Sequence, residues 1–110
     1  MDAAARALAE PRRRQILLLV RDTERTVNNI ARHFEVSRPA ISQHLRVLSD
    51  ADLVTVRSEG TRRFYRARPD GLVELATWMD EFWRSSLDEL AIQVERQQWN
   101  DKKRDRNQDS

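Results

Sequence analysis

The stretch Val36-Ser37-Arg38-Pro39-Ala40-Ile41-Ser42-Gln43-His44-Leu45-Arg46-Val47-Leu48 admits few local structures. Ser37 is suited to cap a helix, because its hydroxyl can accept a bond from a first-turn backbone N–H that has no helical partner. Pro39 costs nothing in that turn, where its missing N–H would have met no carbonyl. At about 100° per residue, Ile41, Leu45 and Leu48 fall on one side. Arg38, Ser42 and Arg46 form a row at four-residue steps, with Pro39 and Gln43 beside it. This second face is rich in donors and holds no carboxylate. A helix of this length with such a face fits the major groove of B-DNA.

The flanking chain supplies the surroundings that such a helix needs. Residues 3–9 have the alanine-rich propensity of a short helix, with Ala4 and Leu8 on one side. Pro11 stands at the first position of a second helix. Ile16, Leu17, Leu19 and Val20 make that helix apolar on most of its circumference, which predicts a central, well-buried element ending near Arg21-Asp22. The Arg12-Arg13-Arg14 run reads as a solvated first turn, with contact to DNA phosphates as the alternative. Thr26 predicts an N-cap for a helix from Val27 to Phe34, buried through Val27, Ile30, Ala31 and Phe34. Glu35-Val36 is then a tight turn, and two short helices so joined form the helix-turn-helix pattern.

After this the hydrophobic period changes. Leu53-Val54-Thr55-Val56-Arg57 and Arg62-Arg63-Phe64-Tyr65-Arg66-Ala67 are β-prone, and Ser58-Glu59-Gly60-Thr61 between them reads as a turn with Gly60 at positive φ. Arg57, Arg62, Arg63, Arg66 and Arg68 stud this hairpin against a single Glu59. A basic hairpin directly after a helix-turn-helix is a wing. The expected fold is mainly α with one small β-hairpin, in the order α-α-α-α-β-β-α. The dense arginines favour phosphate contact by Arg57, Arg62 and Arg63 over a purely structural hairpin.

Asp70 is the expected cap of a last helix running from about Gly71 to Gln97. Leu72, Leu75, Met79, Phe82, Trp83, Leu87, Leu90 and Val94 keep one apolar stripe along it. That stripe is longer than so small a domain needs for its own core, and it argues for a second copy of the same helix as partner. Residues 1–97 are expected to form one DNA-binding and dimerisation domain. The polar residues 98–110 read as a frayed or disordered tail.

Charge separates along the same lines. Residues 1–68 carry 14 Arg against 8 acidic residues, while residues 69–97 carry 2 Arg against 7 acidic residues. A basic front and an acidic back suit a polyanion on one side only. The competing explanation is an arginine-rich composition serving an ordinary solvated surface. With no cysteine there is no disulfide, thiolate site or cysteine nucleophile. No run of about eighteen apolar residues is present to span a membrane, and the expectation is a cytoplasmic protein. No nucleophile–base set, glycine-rich phosphate loop or paired carboxylates can be read, so an enzyme is not expected.

Taken in order, Leu8-Ala9-Glu10-Pro11-Arg12-Arg13-Arg14-Gln15-Ile16-Leu17, then Val36 to Leu48, then Ala51-Asp52-Leu53-Val54 and Gly60-Thr61-Arg62-Arg63-Phe64-Tyr65 resemble the ArsR/SmtB family of bacterial winged-helix repressors. The most specific part is the Ser-x-Pro-x-Ile-Ser-x-His-Leu run from Ser37 to Leu45. Asp80-Glu81-Phe82-Trp83 resembles a branch that lacks the usual metal ligands. The resemblance implies a homodimer built on the first and last helices, with Leu8 in the interface, that binds an inverted-repeat operator and represses transcription. Metal-sensing members carry Cys-x-Cys near the start of the helix that here begins at Thr26-Val27-Asn28, and others place Asp and His ligands on the last helix. This chain has no cysteine and no histidine in residues 70–97. His33 and His44 lack a carboxylate at ligand spacing, so neither a metal nor another cofactor is expected. Glu35 stands where many members have Gly, which implies a slightly strained turn.

Within the reading helix, Gln43 is the best candidate for a base edge, since its amide can pair bidentately with adenine. Ser37, Arg38, Pro39 and Ser42 lie where bases or phosphates can be met, and Arg46 suits a phosphate. His44 sits at the rim of the apolar face, and DNA contact and core packing both remain open for it. The expected partners are double-stranded DNA and a second copy of the chain, with no membrane; any effector is left open. The alternatives are a winged-helix module that binds another protein and, behind it, a metal-responsive repressor with a His/carboxylate site.

Overall fold

The computed structural model describes residues 1–86 and Asp88. Met1–Leu75 form one compact unit, and Ala76–Ser110 group separately. The first unit contains α1 (Asp2–Leu8), α2 (Pro11–Leu19), α3 (Val27–Ala31), α4 (Arg38–Asp50), β1 (Val54–Glu59), β2 (Arg62–Ala67) and a 3-10 turn at Pro69–Leu72. Residues 73–86 are helical and are called α5. This is the winged helix-turn-helix order. Among the described residues, no helix is long and apolar enough to cross a membrane.

The helix starts obey local chemistry. Pro11 opens α2 from an extended Glu10. The Thr26 hydroxyl accepts from the Asn29 N–H at 3.2 Å, and the Ser37 hydroxyl accepts from the Ala40 N–H at 3.3 Å. Each such cap is worth about 1 kcal/mol. α3 is shorter than its apolar pattern suggests. After Ala31 the chain tightens into three-residue steps, with the His33 N–H bonding Ile30 and the Phe34 N–H bonding Ala31, a common way to satisfy the last carbonyls. Among the described non-glycine residues only Asp52 has positive φ, so the Glu35 turn carries no left-handed strain.

Asp52 closes α4. With Ala51 as C-cap, the Leu53 N–H reaches the Leu48 carbonyl at 2.9 Å and the Asp52 N–H reaches Ser49 at 3.0 Å. This is a Schellman closure with aspartate, at φ 59°, in the place usually held by glycine. It delivers Leu53 into the core beside Leu48.

That core is made of Ile16, Val20, Ile30, Ile41, Leu45, Leu48 and Leu53, all fully buried, with Ala4 and Ala7 of α1 and Val54 at its edges. The expectation of a well-buried α2 is only half met. Ile16 and Val20 are buried, but Leu17 and Leu19 are half-buried and Leu18 is 65% exposed. α1 is short and alanine-rich, so nothing in the described unit covers the far side of α2.

The hairpin pairs from Val54↔Ala67 to Glu59↔Arg62. The strands therefore extend further than expected, through Ser58 and Glu59, leaving only Gly60 (φ 62°) and Thr61 as the connection. The wing is tied to the helices by backbone. Arg25 and Tyr65 exchange both N–H···O bonds at 2.9 and 2.8 Å, and the Ala67 N–H reaches the Val20 carbonyl at 3.0 Å. Asp70 does not cap the last helix. Pro69 opens the 3-10 turn from an extended Arg68, no side-chain cap is made, and helical residues begin at 73 rather than 71.

Candidate nucleic-acid interface

The polar face of α4 is open to solvent. Ser37, Arg38, Pro39, Ser42, Gln43 and Arg46 are all exposed, while Ile41, Leu45 and Leu48 are buried on the opposite side. The two faces separate as the periodicity requires. Pro39 sits in the first turn and Ser37 caps it, so the amino end of the helix holds a fixed direction.

Beside this face lies a cleft of about 470 Å³ between α3, the start of α4 and the wing tip. Arg38, Arg62 and Arg63, expected from the sequence, meet there, and Arg32 and Asn28 join them. None of its lining residues is acidic. Arg32 and Asn28 are missed by a reading that attends to the apolar face of α3. Their four-residue spacing, opposite Ile30, is the available signal. Four guanidiniums around one concave, carboxylate-free surface attract a phosphate chain.

Arg57 is placed differently. Its guanidinium grips Glu24 through Nε at 3.1 Å and Nη2 at 2.5 Å, and donates from Nη1 to Glu59 at 2.9 Å. It also lies 4.6 Å from the centre of the Phe64 ring. Glu24 is pushed below the ordinary carboxylate range, chiefly by the hydrogen bond from Arg57. Arg57 thus spends its charge on bracing the wing, whereas Arg62 and Arg63 make no ion pair among the described residues.

The Arg12–Arg14 run bonds back onto the protein, with Arg12 and Arg13 half-buried and Arg14 exposed as a solvated first turn requires. Arg13 donates to the carbonyls of Ala7 at 2.6 Å and Arg6 at 3.2 Å, and Arg14 donates to Leu8 at 2.6 Å. Basic groups at those carbonyls answer the negative end of α1. Arg12 lies over the Phe34 ring, 4.8 Å from its centre.

His44 is half-buried, and its Nδ1 is shut off from solvent without a hydrogen-bond partner. Burial, then the charge of Arg13, holds its pKa below the ordinary value, so the ring is neutral at pH 7. His33 donates from Nδ1 to the Asn29 carbonyl at 2.8 Å. Among the described residues, no three His, Cys, Asp or Glu side chains gather as a metal site.

In α5, Trp78 (50%), Met79 (44%), Phe82 (50%) and Trp83 (44%) are exposed. Trp78 stacks on Phe82 at 5.6 Å between ring centres, and Phe82 meets Trp83 edge-on at 5.3 Å. Leu8 and Leu75 are half-buried. Leu87, Leu90 and Val94, also expected in the interface, lie outside the described residues, as does the tail at 98–110.

Comparison with known proteins matches residues 10–56 to the family model described as bacterial regulatory protein, arsR family. The HTH-type transcriptional regulator Rv2034 of Mycobacterium tuberculosis is 46% identical over 86 residues, covering 78% of this chain and 80% of the relative. The transcriptional repressor SdpR of Bacillus subtilis is 33% identical over 82 residues, covering 74% and 91%. Among solved structures, the solution structure of the homodimeric winged helix-turn-helix DNA-binding domain of Mb0332 from Mycobacterium bovis superposes with a TM-score of 0.61 at 33% identity, covering 74% of this chain and 75% of that one.

Proposed function

The chain belongs to the ArsR family of DNA-binding transcriptional regulators, and from that premise we propose that it is a homodimeric repressor of an inverted-repeat operator, its own promoter among the candidates. The observation that carries this reading is the carboxylate-free cleft in which Arg32, Arg38, Arg62 and Arg63 flank the exposed face of α4. Gln43 reads a base edge, with Ser42 and Arg38 beside it. Arg46, Ser37, Arg62 and Arg63 hold phosphates and set the register. His44 supports the helix from behind, and Arg57 steadies the wing.

Two copies meet through the exposed aromatic face of α5 together with Leu8 and Leu75. Trp78, Met79, Phe82 and Trp83, exposed together on one helix, mark an interface. The homodimeric Mb0332 domain and the repressor SdpR support the reading by likeness. A two-fold dimer reads two half-sites about one helical turn apart.

A mobility-shift titration tests the assignment. Gln43→Ala is expected to relax sequence preference, and Arg62→Ala with Arg63→Ala to weaken all duplexes alike and flatten the salt dependence. Unchanged binding in both would refute the placement of helix and wing. Sedimentation of Trp83→Ala tests the dimer separately, and a shift toward monomer is expected.

A further inference from the structure

Asn29 of α3 is held at three points. Its backbone N–H donates to the Thr26 hydroxyl at 3.2 Å, and its carbonyl accepts from His33 Nδ1 at 2.8 Å. Its side-chain oxygen accepts from Nη1 of Arg25 at 2.7 Å. A guanidinium can only donate, so the carboxamide oxygen faces Arg25 and the Nδ2 amide turns the other way. Asn29 lines the cleft that holds Arg32, Arg38, Arg62 and Arg63, whereas Arg25 does not. We propose that the Nδ2 amide of Asn29 is a further DNA contact, donating to a phosphate in that cleft, and that Arg25 is the positioning residue that directs it there.

Nδ2 has no hydrogen-bond partner among the described residues, and it is not shut off from solvent. An oriented donor therefore stands open beside the guanidiniums. A phosphate oxygen is the acceptor that these surroundings favour, because four arginines draw an anionic backbone into the cleft and no lining carboxylate competes for the amide. Arg25 is itself fixed. Its Nε donates to the Leu19 carbonyl at 3.1 Å, and its backbone exchanges both bonds with Tyr65 of β2. One half-buried side chain thus joins the end of α2 to α3, with its backbone anchored on the wing. Asn29 carries no charge, so its contact sets position rather than long-range attraction. The assignment rests on the cleft being the DNA-binding face.

The test titrates the full chain, at several salt concentrations, with a duplex that the wild type selects from a random pool. Asn29→Ala is expected to weaken binding by about tenfold, the scale of one hydrogen bond to a charged group. The slope of log affinity on log salt should not change, since no cation is lost. Methylphosphonate substitution, scanned one linkage at a time, should find a linkage that weakens the wild type by a similar factor and leaves Asn29→Ala indifferent. Asn29→Asp keeps an oxygen for Arg25, and so serves if the alanine variant does not fold by circular dichroism. It should bind more weakly than the wild type and regain affinity when that linkage is neutral. Arg25→Met should weaken binding in the wild type and add little in the Asn29→Ala background. Wild-type affinity in Asn29→Ala overturns the proposal, and so does a scan with no linkage coupled to Asn29. Additive losses in the double variant overturn the positioning role of Arg25. If Arg62→Ala with Arg63→Ala also leaves binding intact, the cleft is not the DNA face and both readings fall. If that pair weakens binding while Asn29→Ala does not, the cleft stands and only Asn29 is misassigned.

Discussion

Gly71 presents its bare Cα to the backbone carbonyl of Asp52, the one described non-glycine residue with positive φ. A Cβ at residue 71 would collide with that carbonyl oxygen and come within 3.0 Å of the Leu53 side chain. The carbonyl cannot retreat, because Asp52 is fixed by the closure of α4 and Leu53 is buried in the core. Gly71→Ala is therefore expected to destabilise the fold by about 1–3 kcal/mol, the usual cost of overpacking. Gly60→Ala, with open space around it, should cost only the strain of its positive φ, about 1 kcal/mol. Urea unfolding of the two variants should separate them in that order.

The Glu24–Arg57 pair links the loop before α3 to the wing. Glu24 has its pKa lowered from the ordinary 4.5, first by the Arg57 hydrogen bond. Its stabilising effect is fully present above that ordinary value and is lost as pH falls through the lowered one. The protection factors of the β1 amides, taken relative to intrinsic exchange at each pH, should accordingly fall in that acid window. Glu24→Gln should lower them already at neutral pH and remove this part of the pH dependence. Identical protection in the variant would show that the pair does not hold the wing.

His44 predicts a loss of stability in the same direction but in a higher pH window. Its pKa is lowered from 6.5, first by burial and then by Arg13 and Arg12, while Glu10 acts in the other direction. Below about 6.5 the unfolded chain takes up a proton that the folded chain refuses, so stability should fall as pH drops from there toward the lowered value. His44→Gln should flatten the stability profile between pH 7 and 5, measured by urea unfolding at each pH. A profile as steep as the wild type would place the titration elsewhere.

Much of the fold is legible in the residues because its punctuation is local. Thr26 and Ser37 each cap a helix by accepting from an N–H three residues on, and Pro11 and Gly60 each settle one backbone angle. What escapes is tertiary. Asp52 adopts a glycine-like φ because the buried neighbours Leu48 and Leu53 require the chain to reverse there. The charge of Arg57 is spent on Glu24, 33 residues earlier, and no spacing rule announces such a pair. Arg12, Arg13 and Arg14 read as solvated because their helix shows basic charge at its start; their partners belong to α1 and Phe34. The same limit applies to the interface. The polar face of α4 emerges from periodicity, but the meeting of Arg32 with the wing tip depends on how the hairpin folds back.

The two-way backbone exchange between Arg25 and Tyr65 has a consequence for the nucleic acid. It ties the middle of β2 to the segment before α3, and so restrains the wing against the helix-turn-helix before any DNA arrives. On the proposed reading, in which Gln43 meets a base edge and Arg62 and Arg63 a backbone, a duplex must present both at the separation so held. Where its groove is too wide or its axis too straight, the DNA has to deform, at a cost that depends on the stiffness of each base step. Base pairs that no side chain touches would thereby enter the choice of operator.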